Sequence, residues 1–469
     1  MTRAIVVGSG PNGLAAAARL ARAGVAVTVL EAADSIGGGT RSSEYIVPGL
    51  LHDHCSAAHP MVVASPLFRD LDLPRPVWKR AEVECAHPLD DGTAGAMYRS
   101  FDATEEALGD DGRRWRQVFA PAAEHFDDLF ADISQPIIRV PRHPITLARF
   151  GMRAALPATV LARAFRTPQA RSLWAGIAAH AFWRLDRPMT SAIGYALAAG
   201  AHSHGWVIAE GGSQAIADAL VADIVANGGA IETGVRVESV ADLPAHDVLM
   251  LDVSPSTALG ILGERLPSKV AGAYRRFRHG PGAFKVDFAV EGGVPWTAGV
   301  ARRAGTVHLG GAADEVVAAE LAVQQGRMVD RPFVLVGQQY LADPSRSVGD
   351  VHPLWTYAHV PNGYTGDATA AIIDQIERFA PGFRDRVVGT AVRSATEMAV
   401  YNPNYVGGDI IGGAASLTQT LFRPRVAIDP YSTGIPGTYL CSASTPPGAG
   451  AHGMCGSNAA DRALEELRR

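Results

Sequence analysis

The sequence predicts an α/β fold in which a Rossmann-type domain is interrupted by a second domain of mixed sheet and helix. Three observations predict this fold. The chain opens with a strand, a glycine turn, a helix and a second strand; similar patterns return between residues 205 and 265; a glycine-rich loop and an alanine-rich helix close it. We therefore expect the Rossmann-type domain to comprise about residues 1–70, 205–265 and 425–469, and the second domain about residues 70–205 and 265–425.

The N-terminal element reads as a βαβ unit. A short apolar strand over Ala4–Val7 leads into the glycine turn, an Ala/Leu/Arg helix ends at Gly24, and an alternating strand finishes on Glu31. An acidic residue 23 positions after Gly8 falls where a dinucleotide-binding unit needs a partner for the ribose hydroxyls. The combination predicts a dinucleotide site more strongly than a glycine triplet alone would.

The first glycine turn has the spacing G-x-G-x-x-G. Gly8 permits the tight turn, Gly10 lets a pyrophosphate approach the backbone, and Gly13 lets the helix pack on the strand. Pro11 and Asn12 complete the turn, and we include both in the predicted cofactor-binding set.

A second glycine turn follows directly after Glu31. Gly38, Gly39, Thr40 and Arg41 belong to it, and the turn resembles the pattern of flavoproteins of the glutathione-reductase and amine-oxidase type. In that class the turn covers the FAD pyrophosphate and the arginine adds positive charge there. The resemblance implies FAD as cofactor, with an exposed surface position as the alternative for Arg41.

The middle of the chain returns to the same domain. A helix is expected from about Ser213 to Asn227, and two short strands after the glycines that end it. The segment resembles the part of the same superfamily that lies beside the adenine ring, which places Val237 there. A further strand is expected in His246–Leu259.

Five segments of the second half resemble the phytoene-dehydrogenase-like branch of the FAD oxidoreductases, which includes phytoene desaturases, carotenoid isomerases and retinol saturases. They are Asp343–Pro361, Ile376–Phe383, Tyr401–Gly413, Arg423–Thr433 and Gly437–Ala460. The resemblance implies FAD chemistry on carbon–carbon bonds of apolar or lipid-like molecules, with hydride passing between a substrate carbon and flavin N5.

The C-terminal loop is the second predicted part of the cofactor site. Its residues Gly448, Gly450, His452, Gly453 and Met454 precede a helix whose N-terminus would direct N–H donors and positive charge at the flavin ring. A turn packed against the first helix is the alternative. Related amine oxidases carry a Gly-Asp pair just before this loop, where this chain has Cys441–Ser444, so hydroxyls or backbone must serve instead.

Two residues are candidates for the chemistry. His452 would act as acid or base beside the ring, or else be a loop histidine bonded to backbone. Lys285 lies in AFKVDFAV, where alternation places Phe284 and Val286 on one face and Lys285 with Asp287 on the other. This run resembles the amine-oxidase strand whose lysine holds a water near flavin N5. The alternative for Lys285 is a pair with Asp287 on a solvated face.

Composition limits the other classes. A net charge of −5 argues against nucleic-acid binding, and four cysteines without a CxxC pair indicate neither disulfide framework nor zinc. The pairs His52/His54 and His202/His204 lack further ligands at metal spacing, so we expect no metal. Neither a signal peptide nor an apolar run of about 20 residues is found, which predicts a cytoplasmic protein.

Residues 139–187 contain nine arginines and a single acid, interleaved with apolar residues. We expect a helical cap over the substrate pocket here. Its basic surface is either an ordinary solvated face, an interface with another subunit, or a peripheral contact with anionic lipid.

These observations together predict an FAD-dependent oxidoreductase of the desaturase, saturase or isomerase type. Its partners would be an apolar substrate and O₂ or a quinone as electron acceptor. One alternative is an amine oxidase that uses O₂, which requires an aromatic cage drawn from Tyr401, Tyr405, Tyr431 and Trp355. The other is a binding or scaffold protein in which FAD is structural.

Overall fold

A computed structural model describes residues 2–70 and 76–469. Its strands are, in chain order, β1 (Arg3–Val7), β2 (Ala26–Leu30), β3 (Ser42–Glu44), β4 (Leu51–Asp53), β5 (Trp78–Lys79), β6 (Val83–Pro88), β7 (Ala94–Met97), β8 (Ile208–Ala209), β9 (Ala230–Glu232), β10 (Val248–Leu251), β11 (Gly282–Glu291), β12 (Ala304–Leu309), β13 (Val334–Gly337), β14 (Val351–Val360), β15 (Val387–Arg393) and β16 (Thr438–Leu440).

The helices are α1 (Pro11–Arg22), α2 (Pro66–Asp70), α3 (Phe101–Leu108), α4 (Gly112–Ala123), α5 (Phe126–Ile133), α6 (Pro144–Ala154), α7 (Ala158–Leu161), α8 (Pro168–Ala179), α9 (Ser191–Ser203), α10 (Gln214–Ala226), α11 (Pro255–Leu262), α12 (Ser268–Arg276), α13 (Ala313–Gln324), α14 (Thr369–Phe379), α15 (Ala395–Tyr401), α16 (Leu417–Leu421) and α17 (Met454–Leu467). Within the described ranges, no helix combines the length and apolarity needed to cross a membrane.

The first sheet is parallel and has the order β16-β10-β1-β2-β9. Its strands come from the start, the middle and the end of the chain. Strand β1 is central in this order. Its apolar residues are buried because a parallel sheet is covered on both faces. Helix α10 ends at Ala226, close to the predicted end at Asn227. Of the two strands expected after it, only Ala230–Glu232 forms; the chain from Val235 continues without strand pairing.

Helices α1, α10 and α17 pack together beside this sheet. Alanines line the buried side of α1, so neighbouring backbones approach closely. A Cβ on Gly456 of α17 would lie 1.7 Å from the carbonyl oxygen of Asn12. Salt bridges from Arg22 to Asp223 (2.7 Å) and from Arg19 to Asp461 (2.7 Å) join α1 to the other two helices.

The second sheet has the order β15-β11-β14-β13-β12-β6-β7 and is mostly antiparallel. Strict alternation along β11 places Phe284, Val286 and Phe288 in an apolar core with helix α14. The opposite side, which we call the inner face, carries Lys285, Asp287, Trp355, Tyr357, His359, His308 and Cys85. Helices α8 and α13 pack against parts of this side.

The helices between β7 and β8 form a separate layer that contains the predicted cap, α6 to α8. Trp115, Phe119, Phe165 and Trp174 pack at its centre with ring centroids 4.4 to 6.4 Å apart. The indole Nε1–H of Trp115 donates to Nε2 of His202 at 2.9 Å, so His202 is part of this core.

Candidate functional site

The first glycine turn wraps tightly around the start of α1. Gly8 has a φ of 100°, which favours glycine, and Gly10 is the residue immediately before the helix. A Cβ on Gly13 would lie 2.1 Å from the Gly8 carbonyl oxygen, and one on Gly10 would lie 2.7 Å from Asp252 Oδ2. Pro11 occupies the first helical position, where its missing N–H costs no bond. Glycines are therefore required at these positions.

The second glycine turn lies directly on the first. A Cβ on Gly38 would be 3.0 Å from Gly10 Cα, and one on Gly39 would be 2.1 Å from the Tyr405 hydroxyl. Thr40 closes the turn by donating its hydroxyl to the Gly37 carbonyl at 2.8 Å. The two turns together form a narrow backbone cradle, which a side chain at Gly38 would fill.

Glu31 and Arg41 are both buried beside this cradle. Glu31 accepts the N–H (2.9 Å) and the hydroxyl (2.6 Å) of Ser9, and also the Ala33 N–H (2.8 Å). The Arg41 guanidinium pairs with Glu31 at 3.3 Å and donates to the Ser35 carbonyl at 2.7 Å. It also lies 5.4 Å from the centre of the Tyr401 ring. The alternative of an exposed Arg41 is therefore wrong.

A cavity of about 320 Å³, the nucleotide cavity, opens between the two turns. Six of the predicted cofactor-binding residues line it: Gly8, Gly10, Glu31, Gly38, Arg41 and Val237. Pro11, Asn12, Gly13, Gly39 and Thr40 lie in the same turns. The opposite wall comes from Val400–Asn404. Of these residues only Tyr401 was given a role from the sequence, as a candidate for an aromatic cage, and none was predicted to bind the cofactor.

The sequence analysis missed Asp252, which also lines the nucleotide cavity. It follows β10 directly, and its Oδ2 accepts the N–H of Gly13 at 2.9 Å. Asn404 holds the Asp252 backbone by donating to its carbonyl at 2.9 Å. Burial raises the pKa of Asp252 to about 7, and the charge of Glu31 also contributes. An acid placed directly after the strand that neighbours β1 was the available signal.

The C-terminal loop does not reach the nucleotide cavity. Gly453 and Gly456 pack against helix α1, since a Cβ on Gly453 would lie 2.9 Å from the Ala15 side chain. At these two positions the loop therefore packs against the first helix, which is the alternative stated in the sequence analysis. A Cβ on Gly448 would lie 2.9 Å from Arg423, a buried arginine that the sequence analysis missed. Met454 lines a separate cavity of about 200 Å³ beside α1.

His452 is buried, and its imidazole is hydrogen-bonded to backbone. Its Nδ1 accepts the Met454 N–H at 3.0 Å, at the start of α17, and its carbonyl accepts the Ser65 hydroxyl at 2.7 Å. Burial lowers the pKa of His452 to about 4, so the imidazole is neutral at pH 7. The ring packs edge-on against Phe130. This is the alternative of a histidine bonded to backbone; a direct chemical role stays a prediction.

The segment Cys441–Ser444 is the one that departs from the Gly-Asp pair expected from the amine-oxidase resemblance, and Ser444 is its last residue. Its hydroxyl donates to the Gly412 carbonyl at 2.9 Å, and the Thr445 hydroxyl donates to the Ser442 carbonyl at 2.8 Å. The hydroxyls of this segment therefore hold the loop itself together.

Lys285 and Asp287 form a pair on the inner face, as the alternative stated for Lys285 predicts. This face is buried, however, and not solvated as that alternative expected. Lys285 is 2% exposed and Asp287 is 4% exposed. Tyr45 donates its hydroxyl to Asp287 at 2.5 Å, and the ammonium of Lys285 lies 5.7 Å from the Trp355 ring centre. Burial lowers the pKa of Lys285, which the charge of Asp287 opposes.

Aromatic and imidazole rings continue along the inner face from this pair. Trp355 contacts Tyr357 (5.1 Å between ring centres), and Tyr357 contacts His359 (5.6 Å). Further on, His308 Nε2 lies 2.9 Å from His180 Nε2, and its Nδ1 lies 3.2 Å from the Cys85 sulfur. Burial lowers the pKa of His180 to about 3. This row is invisible in the sequence because it combines residues of four strands, β6, β11, β12 and β14, with His180, which follows helix α8.

Several polar atoms of this region are buried without a protein partner in the described part of the chain. They are Asp287 Oδ1, Trp355 Nε1, His359 Nε2, Glu320 Oε2, His87 Nδ1 and both ring nitrogens of His52. Buried polar atoms normally have partners, so this row is suited to a ligand with hydrogen-bonding groups. Among the described residues, no group of three or more His, Cys, Asp or Glu has an arrangement that would hold a metal ion.

Comparisons with known proteins support a Rossmann-type fold for the N-terminal part of the chain. The family described as NAD(P)-binding Rossmann-like domain matches residues 6–71. The chain is 24% identical to pyridine nucleotide-disulfide oxidoreductase domain-containing protein 2 of Rattus norvegicus, over 99% of this chain and 94% of that protein. The protein of the same name from Mus musculus is 23% identical over the same shares.

Solved structures share the whole fold. An oxidoreductase from Methanosarcina mazei has a TM-score of 0.63 at 16% identity, with 100% of each chain covered. A triple mutant of putrescine oxidase gives 0.63 at 16% identity, covering 100% of this chain and 99% of that one. Cyclohexylamine oxidase from Brevibacterium oxydans gives 0.59 at 17% identity, with 100% of each chain covered. The predicted fold class is confirmed: the chain has an α/β fold with a parallel Rossmann-type sheet and a separate mixed sheet, and it shares this fold with the structures named above.

Proposed function

We propose that the protein is an FAD-dependent oxidoreductase acting on an organic substrate. The observation that carries the proposal is the nucleotide cavity, where two glycine turns meet beside Glu31 and Arg41. FAD as cofactor and an oxidoreductase activity both agree with the fold and with the similar proteins. When bound, the flavin would supply a hydride acceptor or donor at N5 for a substrate carbon.

The residues of the cavity fit the adenine and pyrophosphate half of FAD. Gly10 and Gly38 offer backbone without side chains where the two turns meet. Arg41 supplies positive charge, and the buried carboxylate of Glu31 lies where ribose hydroxyls would bind. Val237 provides an apolar wall for adenine.

The second glycine turn favours FAD over a nicotinamide dinucleotide. A nicotinamide dinucleotide needs only the first glycine turn of the βαβ unit. The second turn contributes Gly38 and Arg41 in addition. The name of the similar rat and mouse proteins also mentions disulfide chemistry, which the cysteines of this chain do not support. All four are free and buried, and burial raises the pKa of Cys455 to about 12, so a reactive thiolate is disfavoured.

The inner face supplies the groups that would handle substrate and protons. The Tyr45 hydroxyl, the Asp287 carboxylate and the Lys285 ammonium form one hydrogen-bonded chain, which can hold or move a proton away from water. The surrounding rings of Trp355 and Tyr357 are apolar surfaces. We propose a largely apolar or lipid-like substrate that carries at least one hydrogen-bonding group, and O₂ or a quinone as electron acceptor.

Amine oxidation is the second candidate. Lys285 is buried on the strand where the resemblance places the amine-oxidase lysine, and Trp355 lies beside it. Two of the similar structures are named as oxidases of putrescine and of cyclohexylamine. Tyr401 and Tyr405 lie at the second glycine turn and do not form a cage with Trp355.

The test begins with the cofactor. Heat-denatured protein should release FAD, and anaerobic addition of a substrate should bleach the flavin absorbance. Lipid-like alkenes, saturated analogues and amines are tested in parallel, with hydrogen peroxide measured on readmission of air. Bleaching by an amine with peroxide formation would favour the second candidate. Bound FAD that no compound reduces would favour a structural flavin.

We also propose that the surface around helix α6 contacts membranes peripherally. Ile137, Val140, Ile145 and Met152 are exposed, and arginines of the basic segment 139–187 lie among them. An exposed apolar stripe with surrounding arginines is the pattern of a helix that lies on an anionic bilayer.

Co-sedimentation with phosphatidylglycerol vesicles should fall for I145E/M152E, while V225E on helix α10 serves as the exposed control. Equal sedimentation of all three proteins would contradict this contact.

A further inference from the structure

Asp252 accepts a hydrogen bond from a backbone N–H that an anion at this turn would otherwise accept. The N-terminus of α1 presents free N–H groups and partial positive charge, which makes it the expected place for a dinucleotide pyrophosphate. In this protein the N–H of Gly13 is already bonded to Asp252 Oδ2 at 2.9 Å. The same oxygen would lie 2.7 Å from a Cβ on Gly10, so it stands at the turn itself.

Asp252 is 6% exposed, and within the described ranges no salt bridge pairs its carboxyl with a cation. The titratable groups that face it are Glu31 at the end of β2, Cys441 after β16 and Cys455 on α17. One of these is a second acid and two are thiols whose pKa is raised by burial. Arg41 is bonded to Glu31 and to the carbonyl of Ser35.

Two charged groups of the same sign would therefore meet when FAD binds. The pyrophosphate carries two negative charges, and an ionised Asp252 next to it in a buried cavity would oppose binding. A neutral carboxyl still accepts the Gly13 N–H through one oxygen and removes the repulsion.

We propose that Asp252 takes up a proton from solvent when the pyrophosphate binds, so that this residue sets the affinity for FAD and its pH dependence. The inference rests on the proposed function, because it assumes that FAD occupies the nucleotide cavity. No bond other than the O–H of the carboxyl is formed, and no redox step is involved.

The sign of the effect follows from linkage. Burial raises the pKa of Asp252 to about 7 in the free protein, so the carboxyl is mostly neutral at pH 6 and mostly ionised at pH 8.5. Above pH 7 each FAD bound therefore takes up one proton, and the affinity falls by up to about tenfold per pH unit. Below pH 6 the affinity should no longer change for this reason.

The experiment compares the wild type with D252N. Asparagine keeps an oxygen that accepts the Gly13 N–H but cannot ionise. FAD-free protein is titrated with FAD at pH 6 and pH 8.5 by quenching of flavin fluorescence. Proton uptake is measured separately by calorimetry in two buffers of different ionisation enthalpy. D34N is the matched control, since Asp34 is exposed on the loop after β2 and lies outside the cavity wall.

We expect the wild type and D34N to bind FAD at least about tenfold more weakly at pH 8.5 than at pH 6, with uptake of about one proton at pH 8.5. D252N should bind about equally at both values and take up none. Identical pH dependence and proton uptake in the wild type and D252N would overturn the inference and leave the FAD proposal intact. Folded protein that binds no FAD at either pH, in both variants, would overturn the proposed function and this inference with it.

Discussion

The nucleotide cavity and the inner face of the second sheet both present polar groups, but they are built differently. In the cavity, glycines such as Gly10 and Gly38 leave backbone groups accessible. The inner face is polar through side chains that come from more than one strand, such as Lys285 and Asp287 of β11 and His359 of β14, and that pair with local partners. The first kind of site depends on particular residues at fixed spacing, and the second depends on the topology of the sheet.

The two regions should therefore fail differently on mutation. A single side chain added to the cavity blocks it completely. A single side chain removed from the inner face leaves an unpaired buried partner, and the damage then includes stability.

The largest effect is expected at the cavity. G10V should abolish FAD retention, because its Cβ would lie 2.7 Å from Asp252 Oδ2 and its methyl groups would fill the cradle. The measurement is the flavin-to-protein ratio after purification. G151A on helix α6 is the control, since a Cβ there meets nothing within 4 Å. Retention of a full complement of FAD by G10V would contradict the placement of the cofactor.

The next effect tests the seam, by which we mean the place where a buried ion cluster joins the end of β4 to the segment between β13 and β14. Arg346 is 1% exposed and pairs with Asp53 at 2.6 Å and with Asp343 at 3.3 Å. R346M leaves two buried acids without their cation, so we expect a loss of about 3–5 kcal/mol in the free energy of unfolding.

Urea denaturation measures this loss. R384M is the matched control, because Arg384 forms an exposed pair with Asp374 and should cost under about 1 kcal/mol. Equal losses for the two variants would show that the buried cluster does not hold the seam.

A smaller effect is expected on the inner face. K285M should slow reduction of the flavin by substrate about 10- to 100-fold while FAD is retained, since the proton chain through Asp287 loses its cation. Stopped-flow absorbance gives the rate, and K79M, which removes an exposed lysine paired with Glu210, is the control. An unchanged rate in K285M would leave the pair with a purely structural role.

The smallest effect concerns the pH dependence of stability. The pKa of Asp252 is raised from 3.8 to about 7 in the folded protein, so stability that the neutral carboxyl provides is lost as pH rises through that range. D252N should therefore have a higher free energy of unfolding than the FAD-free wild type at pH 8, by an amount on the order of 1 kcal/mol or more, which thermal denaturation measures. The advantage should shrink towards pH 4; a constant difference at all pH values would contradict the raised pKa.

The sequence predicted the cavity well because its residues act through local geometry. Gly8, Gly10 and Gly13 are needed wherever a strand turns into a helix around a pyrophosphate, and Glu31 follows at a fixed distance. Asp252 escaped notice because its role depends on β10 lying beside β1, which joins residues 239 positions apart in the chain.

The inner face and the C-terminal loop were predicted less well, for related reasons. Alternation along β11 placed Lys285 and Asp287 on one side, but only the packing of the whole sheet decides that this side is buried. Gly453 and Gly456 signal close backbone approach, and the sequence does not say whether a cofactor or helix α1 makes that approach. Local patterns fix conformation, whereas partners are set by tertiary packing.

The most direct test of the account is the identity of what the purified protein releases on heating. The account predicts one FAD per chain, lost selectively in G10V and retained in G151A. A protein that is folded and releases no flavin, or that binds NAD(P)H in the nucleotide cavity in place of FAD, would contradict it.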